Sequence, residues 1–248
     1  MNIKKYIPNF LTLLNLFCGC IAVVFVSVRL FDYAFFFVCL GIFFDFFDGF
    51  LARKFGVSGP LGVQLDSLAD MVTSGVVPGF VMYKMLPSLK EVTPNGSITT
   101  CFPMYNEIPF AILPYLGFII TLGACYRLAK FNIDTRQSDS FIGLPTPANA
   151  LFISSLPLVS STQFITNLIH NQWFLIAITF ISAYVMNAEI PLFSLKIKDF
   201  SFEKYKLQIG FLVGSIFMIL FFQITAVPLI ILTYVLLSVL NNTIFAKK

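Results

Sequence analysis

Between Asp45 and Asp70 an apolar stretch carries acids and small residues at helical spacing. Asp45, Asp48, Gly49 and Ala52 stand at i, i+3, i+4 and i+7 and share one face of a helix. Gly62, Asp66 and Asp70 stand at i, i+4 and i+8 and share one face of the next. A carboxylate at the centre of a membrane-spanning helix costs about 2.5–3.5 kcal/mol, and less toward the interface. Divalent cations are the simplest compensation, and two converging pairs of carboxylates form an all-oxygen site suited to Mg²⁺ or Mn²⁺ rather than zinc. Arg53 adds a planar fork for phosphate. Gly49 and Ala52 leave room for a flat group such as a nucleotide base. Together these residues describe a site for a nucleotide diphosphate. The plainer alternative is packing glycines and interfacial charges balanced by Arg53 and Lys54, but two cations are too few for four acids on two faces.

The elements that must position these groups are membrane helices. Of 248 residues, 58% are hydrophobic and 11% charged, against about 25% charged in a soluble domain. Apolar runs predict an all-α, polytopic bundle of about eight transmembrane helices in a single domain over 1–248. They fall near 8–28, 33–54, 60–87, 108–130, 145–167, 172–190, 207–223 and 226–245. The catalytic core is expected within about 1–190, with additional C-terminal helices at 207–245. The first run contains Asn15, has no small-residue cleavage pattern, and reads as a span rather than a signal peptide. Cys18, Cys20, Cys39, Cys101 and Cys125 have no metal-ligand spacing, and with His170 as the one histidine a His-based metal site or a Ser-His-Asp triad is excluded.

Basic residues set the orientation. With the N-terminus in the cytoplasm, Lys4, Lys5, Arg53, Lys54, Arg127, Lys130, Arg136, Lys196, Lys198, Lys204, Lys206, Lys247 and Lys248 lie inside; only Arg29, Lys84 and Lys90 lie outside. The net charge of +4 is thus a topology signal and not a nucleic-acid one. Both termini are expected in the cytoplasm, and the acids at the cytoplasmic ends of the second and third helices. Gly56 is a natural helix stop and Pro60 a natural first-turn residue, so these two helices are expected to be antiparallel neighbours with facing carboxylates.

The spacing D-x2-D-G-x2-A-R-x8-G-x3-D-x3-D is similar to the signature of the CDP-alcohol phosphotransferase family. The resemblance implies an integral-membrane enzyme that moves a phosphatidyl or similar group from a CDP-linked donor to an alcohol and releases CMP. It implies two divalent cations on Asp45, Asp48, Asp66 and Asp70, with Asp70 as the base that takes the acceptor's proton. Gly49, Ala52, Arg53 and Gly62 fall on the CDP and diphosphate side, to which Thr12 and Asn15 of the first helix are also assigned. It further implies a homodimer and a bacterial or archaeal cell membrane.

Three segments resemble the phosphatidylserine synthase branch of that family: Pro8–Gly19, Arg127–Asn132 and Phe141–Ala150. That branch takes CDP-diacylglycerol and L-serine. A serine zwitterion needs a cation for its carboxylate, which Arg127 and Lys130 can supply, and polar partners, for which Asn132, Thr146 and Asn149 are placed. Glycerol 3-phosphate or inositol phosphate is the alternative acceptor, served by Arg127, Lys130 and Arg136. An ion-coupled transporter would need a polar path, and Asn187, Glu189, Gln223, Asn241 and Asn242 do not form one. The last two helices and the loop 194–206 have no assigned task.

Overall fold

The computed structural model describes residues 6–86, 91–92, 98–99, 112–133, 141–159, 163–169, 171–192 and 206–245. Among these, α1 (Tyr6–Ser27) and α2 (Phe31–Phe55) are followed by α3 (Pro60–Asp70). A π-helical turn, Met71–Val76, carries α3 directly into α4 (Val77–Met85). Then come α5 (Ile112–Tyr115), α6 (Ile119–Ile133), α7 (Thr146–Ser155), α8 (Gln163–Ile169), α9 (Gln172–Asn187), α10 (Lys206–Phe222) and α11 (Ala226–Phe245). Two antiparallel pairs of two-residue strands complete it: β1 (Glu91–Val92) with β2 (Ile98–Thr99), and β3 (Phe141–Ile142) with β4 (Pro191–Leu192).

Four helical stretches are long and apolar enough to cross a membrane: Tyr6–Ser27, Phe31–Phe55, Ile112–Ile133 and Leu207–Asn241. They fit an integral membrane protein. The helix expected over 145–167 is not continuous. α7 ends at Ser155, a 3-10 turn spans Leu156–Leu158, and α8 starts at Gln163. Pro157 explains the break, because it has no N–H to give and its ring collides with the preceding turn. Cys101, His170, Lys4, Lys5, Lys90, Arg136, Lys196, Lys198, Lys204, Lys247 and Lys248 lie outside the described residues, as do 193–205 of the C-terminal loop.

The stop after α2 is as the sequence predicts. Gly56 takes φ 64°; its N–H donates to Arg53 O at 3.2 Å and that of Val57 to Ala52 O at 3.0 Å. This pairing satisfies the last carbonyls and needs a left-handed residue, which glycine adopts without a Cβ clash. Gly59 is extended, and Pro60 opens α3.

α1 is the centre of the site half of the molecule. It packs along α2 and against α3, the π turn and α4. α2 and α3 do not pack on each other along their lengths; α2 meets the acidic helix at the π turn. The two helices are braced on α1 instead, and at their acidic faces the carboxylates meet as expected, those of Asp45 and Asp48 with that of Asp66. Small residues permit this. A Cβ at Gly19 would collide with Thr73 Oγ1, and one at Gly41 would stand 2.8 Å from Thr73 Cγ2. The Thr73 hydroxyl donates to the backbone oxygen of Asn15 at 3.0 Å, locking the π turn to α1. α6 packs on α9 and the π turn, where Thr121 Oγ1 donates to Gly75 O at 2.9 Å. Such turns break the regular hydrogen-bond ladder, so a side-chain donor to a carbonyl within one is a local support.

α7 is tied to α9 through the strand pair. Gly143 N–H donates to Ile190 O at 2.9 Å, and Leu144 N–H to Val185 O at 3.1 Å. Gly143 has φ 74°, and a Cβ there would collide with Met186 O. Its role is a close backbone approach that holds the start of α7 in place.

Candidate active site

Three of the four acids converge. One carboxylate oxygen each from Asp45, Asp48 and Asp66 lie within 4.8 Å of one another. Asp45 and Asp66 are half-buried and Asp48 is buried. Three carboxylates at this separation, with only oxygen donors, fit a hard divalent cation. They also repel one another unless a cation or proton intervenes. Asp70, the last acid of the row, is not part of this group. It is buried, and its Oδ1 accepts from Asn15 Nδ2 at 3.1 Å.

Gly49 lies under a cation of its own helix. A Cβ at Gly49 would stand 3.3 Å from Arg53 Nη1, so the guanidinium folds back over position 49, one turn away. Gly49 therefore leaves space for the Arg53 head group. Gly62 has only Asn9 Oδ1 near its missing Cβ, at 3.6 Å, and Ala52 is half-buried on the same helix as Arg53.

Thr12 and Asn15 face the acids. The Thr12 hydroxyl donates to Asp48 Oδ2 at 2.5 Å, and its oxygen also lies 3.1 Å from Pro8 O. Asn15 reaches Asp70, and its own Oδ1 is buried with no hydrogen-bond partner.

The residues set out for serine divide into two groups. Arg127 on α6 is buried, lies within electrostatic reach of Asp70, and keeps its Nε unpaired. Asn132, on the same helix, exchanges hydrogen bonds with Ser67, the neighbour of Asp66. Lys130 turns away and pairs with Glu189 at 3.5 Å on an exposed surface. Thr146 is buried at the start of α7. Asn149 accepts from the Ser182 hydroxyl at 2.5 Å and lines a cavity of about 400 Å³ with Phe152, Leu156 and Val185. None of the acids of the row lines that cavity.

Ser67 and Ser74 were not singled out from sequence. Ser67 is legible in hindsight as a polar residue beside Asp66 in an apolar helix. Ser74, one turn after Asp70, is buried in the π turn with an unpaired hydroxyl. Spacing carries a signal for it, since Ser74 continues the four-residue row of Gly62, Asp66 and Asp70.

The geometry brings three carboxylates together, sets a fourth within reach of them and of a buried guanidinium, and folds Arg53 back over Gly49. A family model described as CDP-alcohol phosphatidyltransferase matches residues 5–185. The CDP-diacylglycerol–serine O-phosphatidyltransferase of Bacillus subtilis (strain 168) is 33% identical over 147 residues, 58% of this chain and 70% of that protein. The protein of the same name from Methanocaldococcus jannaschii is 31% identical over 147 residues, 59% of this chain and 58% of that protein. The archaetidylserine synthase of Methanothermobacter thermautotrophicus is 30% identical over 166 residues, 64% of this chain and 62% of that protein. The chain thus spans less than two thirds of the two archaeal proteins.

Proposed function

The chain belongs to the CDP-alcohol phosphatidyltransferase family, and on that footing we propose that it transfers the phosphatidyl group of CDP-diacylglycerol to the hydroxyl of L-serine. The serine oxygen forms a bond to phosphorus, the bond from that phosphorus to the CMP oxygen breaks, and CMP leaves with the electron pair. The hydroxyl proton goes to Asp70. The observation that carries this reading is the difference in partners among neighbouring acids: Asp45, Asp48 and Asp66 bring oxygens within 4.8 Å of one another, while Asp70, within electrostatic reach of them, is held by Asn15 and also feels Arg127.

Asp45, Asp48 and Asp66 would hold the divalent cations, Mg²⁺ or Mn²⁺, with Asp70 at the edge of the set. Bound there, the cations supply charge neutralisation for the diphosphate and its leaving group. Arg53 holds the phosphate from the α2 side, and Gly49, Ala52 and Gly62 leave the surface on which the cytidine rests. Asp70 accepts the proton because it is not shared within the trio and keeps the basicity a general base needs. Arg127 anchors the serine carboxylate: it is a buried cation with an unpaired donor, within electrostatic reach of the base.

A single buried guanidinium suits one carboxylate better than a phosphate dianion, since Lys130 is turned to Glu189. This favours serine over glycerol 3-phosphate or inositol phosphate. The resemblance to a protein named archaetidylserine synthase leaves the donor backbone, diacylglycerol or archaeol, to be set by assay. Eight transmembrane helices, cytoplasmic termini, a site at the cytoplasmic ends of α2 and α3, and a homodimer in a cell membrane complete the proposal.

The test is CMP release by the purified chain with CDP-diacylglycerol, Mn²⁺ and a panel of acceptors. Serine is expected to support turnover, and EDTA to abolish it. Turnover with glycerol 3-phosphate but not serine would replace the acceptor. Turnover undiminished by EDTA would remove the cation scheme.

A further inference from the structure

Two polar residues of α1 each hold one acid, and the two acids are not of the same kind. Thr12 and Asn15 stand one turn apart, both buried. Thr12 donates to Asp48, a member of the converging trio on α2 and α3. Asn15 donates to Asp70, which lies outside that trio. Neither hydrogen bond crosses to the other acid among the described residues.

Asn15 has little freedom to do anything else. Its backbone oxygen is held by Thr73, and a Cβ at Gly41 would stand 2.9 Å from its Oδ1. The amide is therefore clasped between α2 and the π turn, with Nδ2 toward Asp70. Its Oδ1 is buried and has no hydrogen-bond partner among the described residues, an arrangement that disfavours an amide over an apolar side chain. A leucine of similar size would fill the same space without that penalty. What the amide offers here is its donor, whose hydrogen-bond partner among the described residues is Asp70.

We infer that α1 is a positioning helix with two separable tasks. Thr12 orients Asp48 for cation binding, and Asn15 fixes the setting of Asp70, the neighbouring acid outside the close trio and within reach of Arg127. Beside the nucleotide role that the family resemblance implies for them, both residues make these contacts to the acids. This inference rests on the reading of Asp70 as the proton acceptor and of the trio as the cation site.

The experiment uses the full chain in lipid nanodiscs, with two readouts: Mn²⁺ binding by electron paramagnetic resonance without substrates, and kcat for CMP release at saturating donor, serine and Mn²⁺. Thr12→Val is expected to weaken Mn²⁺ binding about tenfold or more, in line with losses at residues that orient metal ligands. Excess Mn²⁺ should recover most of its kcat, and Thr12→Ser should restore binding. Asn15→Leu is expected to bind Mn²⁺ within about twofold of the original chain, yet lose about 100-fold in kcat, the scale of a misplaced reacting group. Should Asn15→Leu not elute as the original chain does, Asn15→Ala, which adds no bulk, is read in its place. Equal loss of Mn²⁺ binding in the Thr12 and Asn15 variants would overturn the inference, as would recovery of the Asn15 variant by added Mn²⁺. Unaltered Mn²⁺ binding in Thr12→Val would do the same. If the original chain binds Mn²⁺ but releases no CMP with any acceptor, the functional reading fails instead.

Discussion

Ser67 on α3 and Asn132 on α6 are bonded twice: Asn132 Nδ2 donates to Ser67 Oγ at 2.9 Å, and the Ser67 hydroxyl donates to Asn132 Oδ1 at 3.1 Å. The pair sits next to Asp66 and joins the acidic helix to the helix that carries Arg127. It fixes the distance between the two halves of the site more than it contributes to either.

A double-mutant cycle on Ser67→Ala and Asn132→Ala, read by thermal unfolding in nanodiscs, should therefore show coupling. The expected interaction is about 1 kcal/mol, the net scale of a half-buried neutral hydrogen-bonded pair. Additive single losses would mean that the pair does not hold α3 and α6 together.

Arg127 and Lys130 are one turn apart but differ in surroundings. Arg127→Ala should raise the KM for serine about 10- to 100-fold, the loss of a charge-assisted hydrogen bond, with the KM for CDP-diacylglycerol little changed. Lys130→Ala should change either KM by no more than about twofold, since an exposed pair such as that with Glu189 is worth about 0–1 kcal/mol. Steady-state kinetics with each substrate varied checks both, and equal effects would remove the distinction drawn from their burial.

Asp70→Asn keeps the shape of the side chain and removes its capacity to take a proton. Turnover should fall by about 10²–10⁴-fold, the range of general-base contributions, while CDP-diacylglycerol binding in the presence of Mn²⁺ persists. Calorimetric titration of the donor against the variant measures the second quantity. A variant that keeps its rate would return the base assignment to another residue.

Gly19→Val tests the helix approach on which the site depends. The added side chain would collide with Thr73 in the π turn, and overpacking of this kind costs about 1–3 kcal/mol. A lower unfolding temperature in nanodiscs is expected, together with a loss of CMP release larger than the remaining folded fraction explains. An unchanged unfolding temperature would show that α1 and the π turn separate freely.

Much of this was legible in the sequence because it depended on local periodicity. The faces of α2 and α3 follow from the spacing of Asp45, Asp48, Asp66 and Asp70, and the stop at Gly56 and restart at Pro60 from their backbone preferences. What was not legible depended on which chain elements meet. Thr12 and Asn15 are marked by polarity alone, and nothing local says that they hydrogen-bond Asp48 and Asp70. The division of Arg127 from Lys130 arises because the segment between α9 and β4 brings Glu189 to one of them. Gly143 read as part of a loop; its positive φ and its approach to Met186 tie it to an element far along the chain.

The π turn has one more consequence. An α-helix advances about 100° per residue, and the wider turn at Met71–Val76 accommodates a residue that a regular ladder would not. The acidic row before it and the buried Val77, Val81 and Met82 after it therefore keep different angular settings on one continuous rod. Shortening that stretch by a residue would straighten the ladder and swing one half against the other by about a quarter turn. Either the carboxylates would leave the cleft or the apolar side would leave the interior. The helix is in this sense spliced from two registers, one for the reaction and one for the bundle.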